Sequence, residues 1–135
     1  MNILYFLTPK NQVATIFEDS NLRQLTEKLE HHRYTAIPII NREGQYVGTI
    51  SEGDILRVVK NTFNMNLMSA HGIEIKKIPR MVEVKSVNAN SSMDDIVDMA
   101  MNQNFVPVTD DNNVFIGIVT RKSIIKYLRD KLNNK

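Results

Sequence analysis

Apolar positions along this chain fall into short blocks whose spacing alternates between the period of a strand and that of a helix, and the same order of blocks occurs twice. Val13-Ala14-Thr15-Ile16-Phe17 is short and β-branched, which predicts a strand. Asn21-Leu22-Arg23-Gln24 has a cap residue with Gln three places on, the pattern of a capping box. Leu22, Leu25 and Leu29 then recur at helical spacing up to His31-His32. Ala36 to Ile40 is a nearly continuous apolar run, as expected of a strand covered on both faces. Asn41 to Gly44 is a turn, Tyr46 to Ile50 the strand that pairs back, and a helix begins near Glu52 with Ile55, Leu56, Val58 and Val59 on its buried side.

The second pass keeps this order. Glu83 to Val87 is the strand, Ser92-Met93-Asp94-Asp95 the cap, and Ile96, Met99 and Ala100 the helix stripe. Phe105 to Thr109 and Phe115 to Val119 are strands joined by a turn at Asp110 to Asn113, and a last helix covers about Lys122 to Leu132. Pro38 and Pro107, Gly48 and Gly117, Ser51 and Thr120 each stand 69 positions apart. Upstream the better offset is 71, pairing Val13 with Val84, Leu22 with Met93, and Leu4 and Leu7 with Ile75 and Ile78. An offset held across proline, glycine and hydroxyl positions marks a duplicated supersecondary unit. The expected organisation is repeat 1 over residues 1–61, a polar, Met-rich linker over 62–72, and repeat 2 over 73–135. The Ile3 to Leu7 run is too short to span a bilayer and is assigned to the first repeat.

Composition narrows the chemistry. With 17 basic and 15 acidic side chains the net charge is +2, too balanced to argue for nucleic acid, and no helix-turn-helix segment lies outside the repeats. The absence of cysteine excludes a disulfide framework, a thiol nucleophile and a thiolate zinc site, and is compatible with the cytoplasm. Adjacent His31 and His32 point about 100° apart on a helix and cannot chelate one ion together. No Ser/His/Asp order, acidic pair or Gly-rich phosphate loop is present, so the reading is a binding protein rather than an enzyme. Met93, Met99 and Met101 are expected to fill gaps beside a core helix, and Tyr127 with the Lys126 to Lys135 tail to form an exposed helix end open to a partner.

Residues 34–40 (YTAIPII), 47–56 (VGTISEGDIL), 104–108 (NFVPV) and 116–125 (IGIVTRKSII) carry a resemblance to the cystathionine-β-synthase (CBS) domain, and two in tandem resemble a Bateman module. The resemblance covers almost the whole chain. It implies an α/β fold of two β-α-β-β-α repeats packed about a pseudo-two-fold axis, pairing into homodimers, with two clefts that take adenine nucleotides as regulatory ligands. On that pattern cleft 1 draws on Gln12, Val13, Ala14, Thr35, Ala36, Pro38, Thr120, Arg121, Lys122 and Ser123. Cleft 2 draws on Glu83, Val84, Lys85, Phe105, Val106, Pro107, Ser51, Glu52, Gly53 and Asp54.

The two clefts differ in charge. Ser51 and Asp54 bracket the first turn of a helix, where a carboxylate can accept ribose hydroxyls and the amide ends suit a phosphate. The same Ser-x-x-Asp spacing is also a capping pair, and both readings stand. In cleft 1, Ser123 occupies the place of the acid, and Arg121-Lys122 put two cations at a helix start, against dipole preference. Solvated charge is one explanation; phosphate recognition by a guanidinium fork is the other.

The YTAIP strand, the T-R-K turn and the late K-Y-L are similar to the short stand-alone CBS pairs that bind cyclic di-AMP in Gram-positive bacteria. That likeness implies phosphate contacts from Arg121 and Lys122 and adenine contacts from Thr35 and Ala36. Lys122 in place of a second arginine, Gln12 where lysine is common, and Pro107 where cysteine is common depart from the pattern. The expectation is therefore a cytoplasmic, non-enzymatic sensor of cyclic di-AMP that signals to a partner protein, with AMP, ADP or ATP as alternative ligands. It needs no metal or cofactor and engages neither nucleic acid nor membrane. A ligand-free dimeric adaptor and a nucleotide-hydrolysing enzyme are the rival readings.

Overall fold

Residues Ala14–Glu83 form one compact unit, and Met1–Val13 together with the chain from Val84 onward form another. The computed structural model describes residues 1–32 and 34–134; Lys135, part of the expected tail, lies outside them. Among the described residues the fold is mixed α/β with two sheets.

In the 14–83 unit, strand β2 (Ile16–Phe17) leads into α1 (Leu22–His32), and a hairpin of β3 (Ala36–Ile40) and β4 (Tyr46–Ser51) leads into α2 (Glu52–Thr62). β2 runs parallel to β3, which pairs antiparallel with β4. Asn21 and Gln24 exchange side chain–backbone bonds of 2.9 Å in both directions, so the capping box read in the sequence is present. Leu22, Leu25 and Leu29 all point into a core with Ile37, Ile39, Ile50, Ile55, Val58 and Val59. Each such side chain contributes roughly 1.5–3 kcal/mol on burial.

Residues 62–72, read as a linker, carry structure. α3 (Leu67–Ala70) begins at an Asn66 cap, and Ala70 is fully buried. Beyond it the carbonyls of Ile73 and His71 accept the N–H groups of Leu22 and Arg23 at 2.9 and 3.2 Å, satisfying first-turn donors that α1 cannot pair internally. A 3-10 turn at Ile75–Lys77 then buries Ile75 and Ile78 in the same core.

In the other unit, β1 (Thr8–Pro9) pairs antiparallel with β7 (Phe115–Thr120), which pairs with β6 (Phe105–Thr109), which runs parallel to β5 (Val87–Asn88). The N-terminal segment expected to belong to the first repeat is thus part of the second repeat's sheet. Its 3-10 turn, Ile3–Phe6, mirrors Ile75–Lys77 with one residue more. That extra residue alters the expected pairing: Leu7 matches Ile78, but Ile3 takes the buried place of Ile75 and Leu4 is left 48% exposed.

The strands expected at 13–17 and 83–87 are shorter than their β-branched composition suggests. Val13 closes a 3-10 turn at Lys10–Gln12 instead of starting a strand. Lys85 is held by a side chain: buried Gln103 accepts its N–H at 3.0 Å and donates to its carbonyl at 3.2 Å. Short β2 also explains Pro38 in an inner strand. β2 pairs only with Ile39 and Ile40, so β3 is an edge at Pro38 on that side.

The helix expected from Ser92 onward breaks. α4 (Met93–Ile96) passes into a 3-10 turn at Val97–Met101. Met93 is buried and Met99 packs on the core, but Met101 is 80% exposed, so it fills no gap. Tyr127, expected at an exposed end of α5 (Arg121–Asn133), instead packs edge-on against Phe6 at 5.5 Å and donates to Asp94 at 3.1 Å.

Candidate functional site

The two hairpin turns show how one geometry is built from different residues. Asn41 accepts the N–H groups of Glu43 and Gln45 at 3.1 and 2.9 Å, with Gly44 at φ 81°. Asp110, its counterpart, accepts from Asn112 and Val114 at 2.9 Å each, with Asn113 at φ 64°. These turns fix the hairpins whose far ends carry the candidate ligand residues.

In the 14–83 unit, Ala36 lies opposite Ser51 in the β3–β4 ladder, and the Glu52 N–H donates to the Thr35 carbonyl at 2.9 Å. Thr35, Ala36 and the Ser51–Asp54 turn are therefore brought to one end of the sheet. Thr35 and Gly53 are exposed, Ala14, Ala36 and Ser51 half-buried, and Pro38 buried. Asp54 is 4% exposed. Its Oδ2 accepts the Ser51 N–H at 3.0 Å while the Ser51 hydroxyl accepts the Asp54 N–H at 3.2 Å, a complete capping box. Its Oδ1 accepts the Met81 N–H at 3.1 Å and faces Arg57 at 3.4 Å. Of the two readings of Ser-x-x-Asp, capping is realised in full.

In the other unit, Phe105 lies opposite Thr120, and the Arg121 N–H donates to the Asn104 carbonyl at 2.9 Å, the counterpart of the Glu52–Thr35 bond. Thr120 caps α5 by accepting the Ser123 N–H at 3.1 Å and also donates to the Ser123 hydroxyl at 3.0 Å. Arg121 is half-buried and its Nε donates to the Ala100 carbonyl at 2.8 Å. Lys122 is exposed. Among the described residues neither cation has a carboxylate at ion-pair distance, and the first turn of α5 contains no acid. The first turn of α2 contains two, Glu52 and Asp54. One helix start attracts anions and the other is already neutralised by its own carboxylates.

The turn carrying Gln12 packs on β7, and Val13 at its end is half-buried. Val84 and Phe105 are half-buried, Lys85 and Glu83 exposed, and Val106 and Pro107 buried in β6. Gln103, which holds Lys85 and also donates to the Phe105 carbonyl at 3.2 Å, was not identified from the sequence. A lone amide before a strand gives no periodic signal. Asn104 and Ala100 act through backbone carbonyls, which no side-chain pattern reveals.

Burial pushes the Tyr46 hydroxyl up to about 12, the hydrogen bond to Thr49 at 2.8 Å opposing the shift. Asp94, beside Lys131 and Tyr127, is held below the usual carboxylate range. Among the described residues no group of three or more acids or histidines is arranged to hold a metal ion, and no helix is long and apolar enough to cross a membrane.

Two segments, residues 6–61 and 75–130, match the CBS domain family. The chain belongs to that family and is a CBS-pair regulatory protein. It is 23% identical over 129 residues to the cyclic di-AMP receptor B of Bacillus subtilis, covering 96% of this chain and 87% of that protein. It is similar to CbpB solved in complex with c-di-AMP, at 26% identity and TM-score 0.84, covering 99% of this chain and 88% of that one. CBSX2 solved in complex with AMP shares the fold at 20% identity and TM-score 0.76, covering 96% of each chain.

Proposed function

We propose that this CBS pair senses cyclic di-AMP, with Arg121 and Lys122 receiving the phosphates and Thr35 and Ala36 receiving adenine. The observation that carries the reading is the start of α5. Two cations stand there with no acid in the turn, and Arg121 is held in place through Nε by the Ala100 carbonyl. A guanidinium anchored on one edge keeps its other donors for a bidentate partner, and each charge-assisted contact is worth roughly 1.5–3 kcal/mol. The likeness to cyclic di-AMP receptor B and to CbpB supports the same ligand.

AMP, ADP and ATP are the competing ligands. A mononucleotide held by its ribose would draw on Asp54, whose oxygens already serve Ser51, Met81 and Arg57, which favours the phosphodiester. The reading carries with it a cytoplasmic location, a homodimer and a regulated partner protein, with occupancy shifting the population between two states that the partner distinguishes. Leu56, expected on the buried side of α2 with Ile55, Val58 and Val59, is instead 57% exposed, as is its match Ile125 on α5, and the two supply apolar surface for such a dimer.

The test is a thermal-shift panel on nucleotide-free protein. Ligand at about 100 times its dissociation constant adds roughly 2.7 kcal/mol, a rise of several degrees. Cyclic di-AMP should give that rise and cyclic di-GMP none. A rise with AMP or ATP alone replaces the ligand, and no rise with any of them favours the adaptor.

A further inference from the structure

Arg121 stands at a helix start, where the helix dipole works against a cation. Two carbonyls tie it there: Asn104 accepts its N–H at 2.9 Å and Ala100 accepts its Nε–H at 2.8 Å. Both lie in the short stretch that runs from the end of the 3-10 turn at Val97–Met101 to the start of β6. The aim of the guanidinium therefore depends on what fixes that stretch.

Gln103 lies between the two carbonyls and is 8% exposed. Continued 3-10 geometry would send its backbone N–H to Ala100, three residues back. It donates instead to the Met99 carbonyl at 2.9 Å, as the Asn102 N–H does at 3.1 Å, and the Ala100 carbonyl serves Arg121. The side chain ties the other end, because a primary amide carries both an acceptor and donors. Its oxygen accepts the Lys85 N–H at 3.0 Å, and its nitrogen donates to the Lys85 and Phe105 carbonyls at 3.2 Å each. Lys85 is thus bonded as a neighbouring strand would bond it, two residues before β5 begins to pair at Val87.

The matched place in the other repeat is built differently. There, 69 positions earlier, Tyr34 fills the place of Gln103 and is 38% exposed, and Glu52 fills the place of Arg121. Glu52 keeps the backbone bond, to Thr35. The buried amide accompanies the repeat that carries the cation.

We propose that Gln103 is a positioning residue for Arg121: without touching the ligand, it sets the fork that receives the cyclic di-AMP phosphates. The inference rests on the sensor reading and deepens it, separating the residue that contacts phosphate from the one that aims it.

A double-mutant cycle, read by calorimetric titration with cyclic di-AMP, tests it. Gln103→Met keeps the volume and removes the amide. It should weaken binding about three- to tenfold, and in the Arg121→Ala background it should change nothing further. Gln103→Glu keeps the acceptor for Lys85, removes the donor to the two carbonyls and should act in the same direction. It carries the test if Gln103→Met does not fold, which circular dichroism checks. Without nucleotide, NMR should show the Arg121 Nε–H losing protection from solvent exchange in both variants. Wild-type affinity in a folded variant, losses that add in the double variant, or an Arg121 Nε–H as protected as before overturns the inference and leaves the ligand reading standing. Failure of both variants to fold overturns it too, by making Gln103 a structural residue. A wild type that binds no cyclic di-AMP removes the ligand reading, and this inference with it.

Discussion

Asp54 reaches 27 residues along the chain to accept the Met81 N–H at 3.1 Å, while its other oxygen closes the capping box on Ser51. The carboxylate that family resemblance assigns to ribose is thus also a tie between the start of α2 and residues that follow the 3-10 turn. Asp54→Ala should cost about 1–3 kcal/mol of stability, the penalty for buried donors left unpaired. Urea unfolding measures it. A variant as stable as the wild type contradicts the tie.

Gly48 and Gly117 are matched by the repeat but should respond differently to alanine. At Gly117, φ is +155° and an added Cβ meets the Thr8 carbonyl directly, so β1 must move off β7. Gly117→Ala should cost at least about 1–3 kcal/mol, the price of a forced backbone conformation. At Gly48 the Cβ meets the end of the Arg80 side chain at 3.1 Å, which can swing away. Gly48→Ala should stay within about 0.5 kcal/mol. Equal melting temperatures for the two variants contradict this assignment.

Tyr46 gives the unfolding free energy an alkaline limb. Its folded value of about 12 lies above the ordinary 10, so the folded chain keeps a proton that the unfolded chain has lost. Stability is fully present below pH 10 and falls as pH rises from 10 to 12, by about 2–3 kcal/mol in all. Tyr46→Phe should remove that contribution. An unchanged alkaline slope in the variant contradicts it.

The strands and helices legible in the sequence were those with their own periodicity or chemistry. Leu22, Leu25 and Leu29 announced α1, and Asn21 with Gln24 announced its cap. Asn41 and Asp110 announced turns because their side chains bond their own backbone. What stayed hidden depends on groups far apart in sequence. No local pattern shows that Thr8–Pro9 will pair with Ile118 and Gly117, or that Ile73 and His71 will cap α1. The stripe Ile96, Met99, Ala100 predicted a continuous helix, but the chain turns to 3-10 geometry at Val97 and leaves Met101 exposed. At the candidate site, Arg121 was legible as a charge at a helix start, whereas its anchor on the Ala100 carbonyl was not.

Arg121→Lys separates charge from geometry. It keeps the cation but removes both the Nε bond to Ala100 and the planar fork. Affinity for cyclic di-AMP should fall about tenfold, one charge-assisted contact of roughly 1.4 kcal/mol, while thermal stability without ligand changes little. Affinity equal to wild type means that charge alone suffices.

The most direct measurement is calorimetric titration of the nucleotide-free protein with cyclic di-AMP, beside Arg121→Ala checked for folding by circular dichroism. The account predicts saturable binding to the wild type, none of cyclic di-GMP, and a ten- to hundredfold loss in Arg121→Ala, roughly 1.5–3 kcal/mol. A folded wild type that takes up no cyclic di-AMP, or an Arg121→Ala variant that binds it as tightly, contradicts the account.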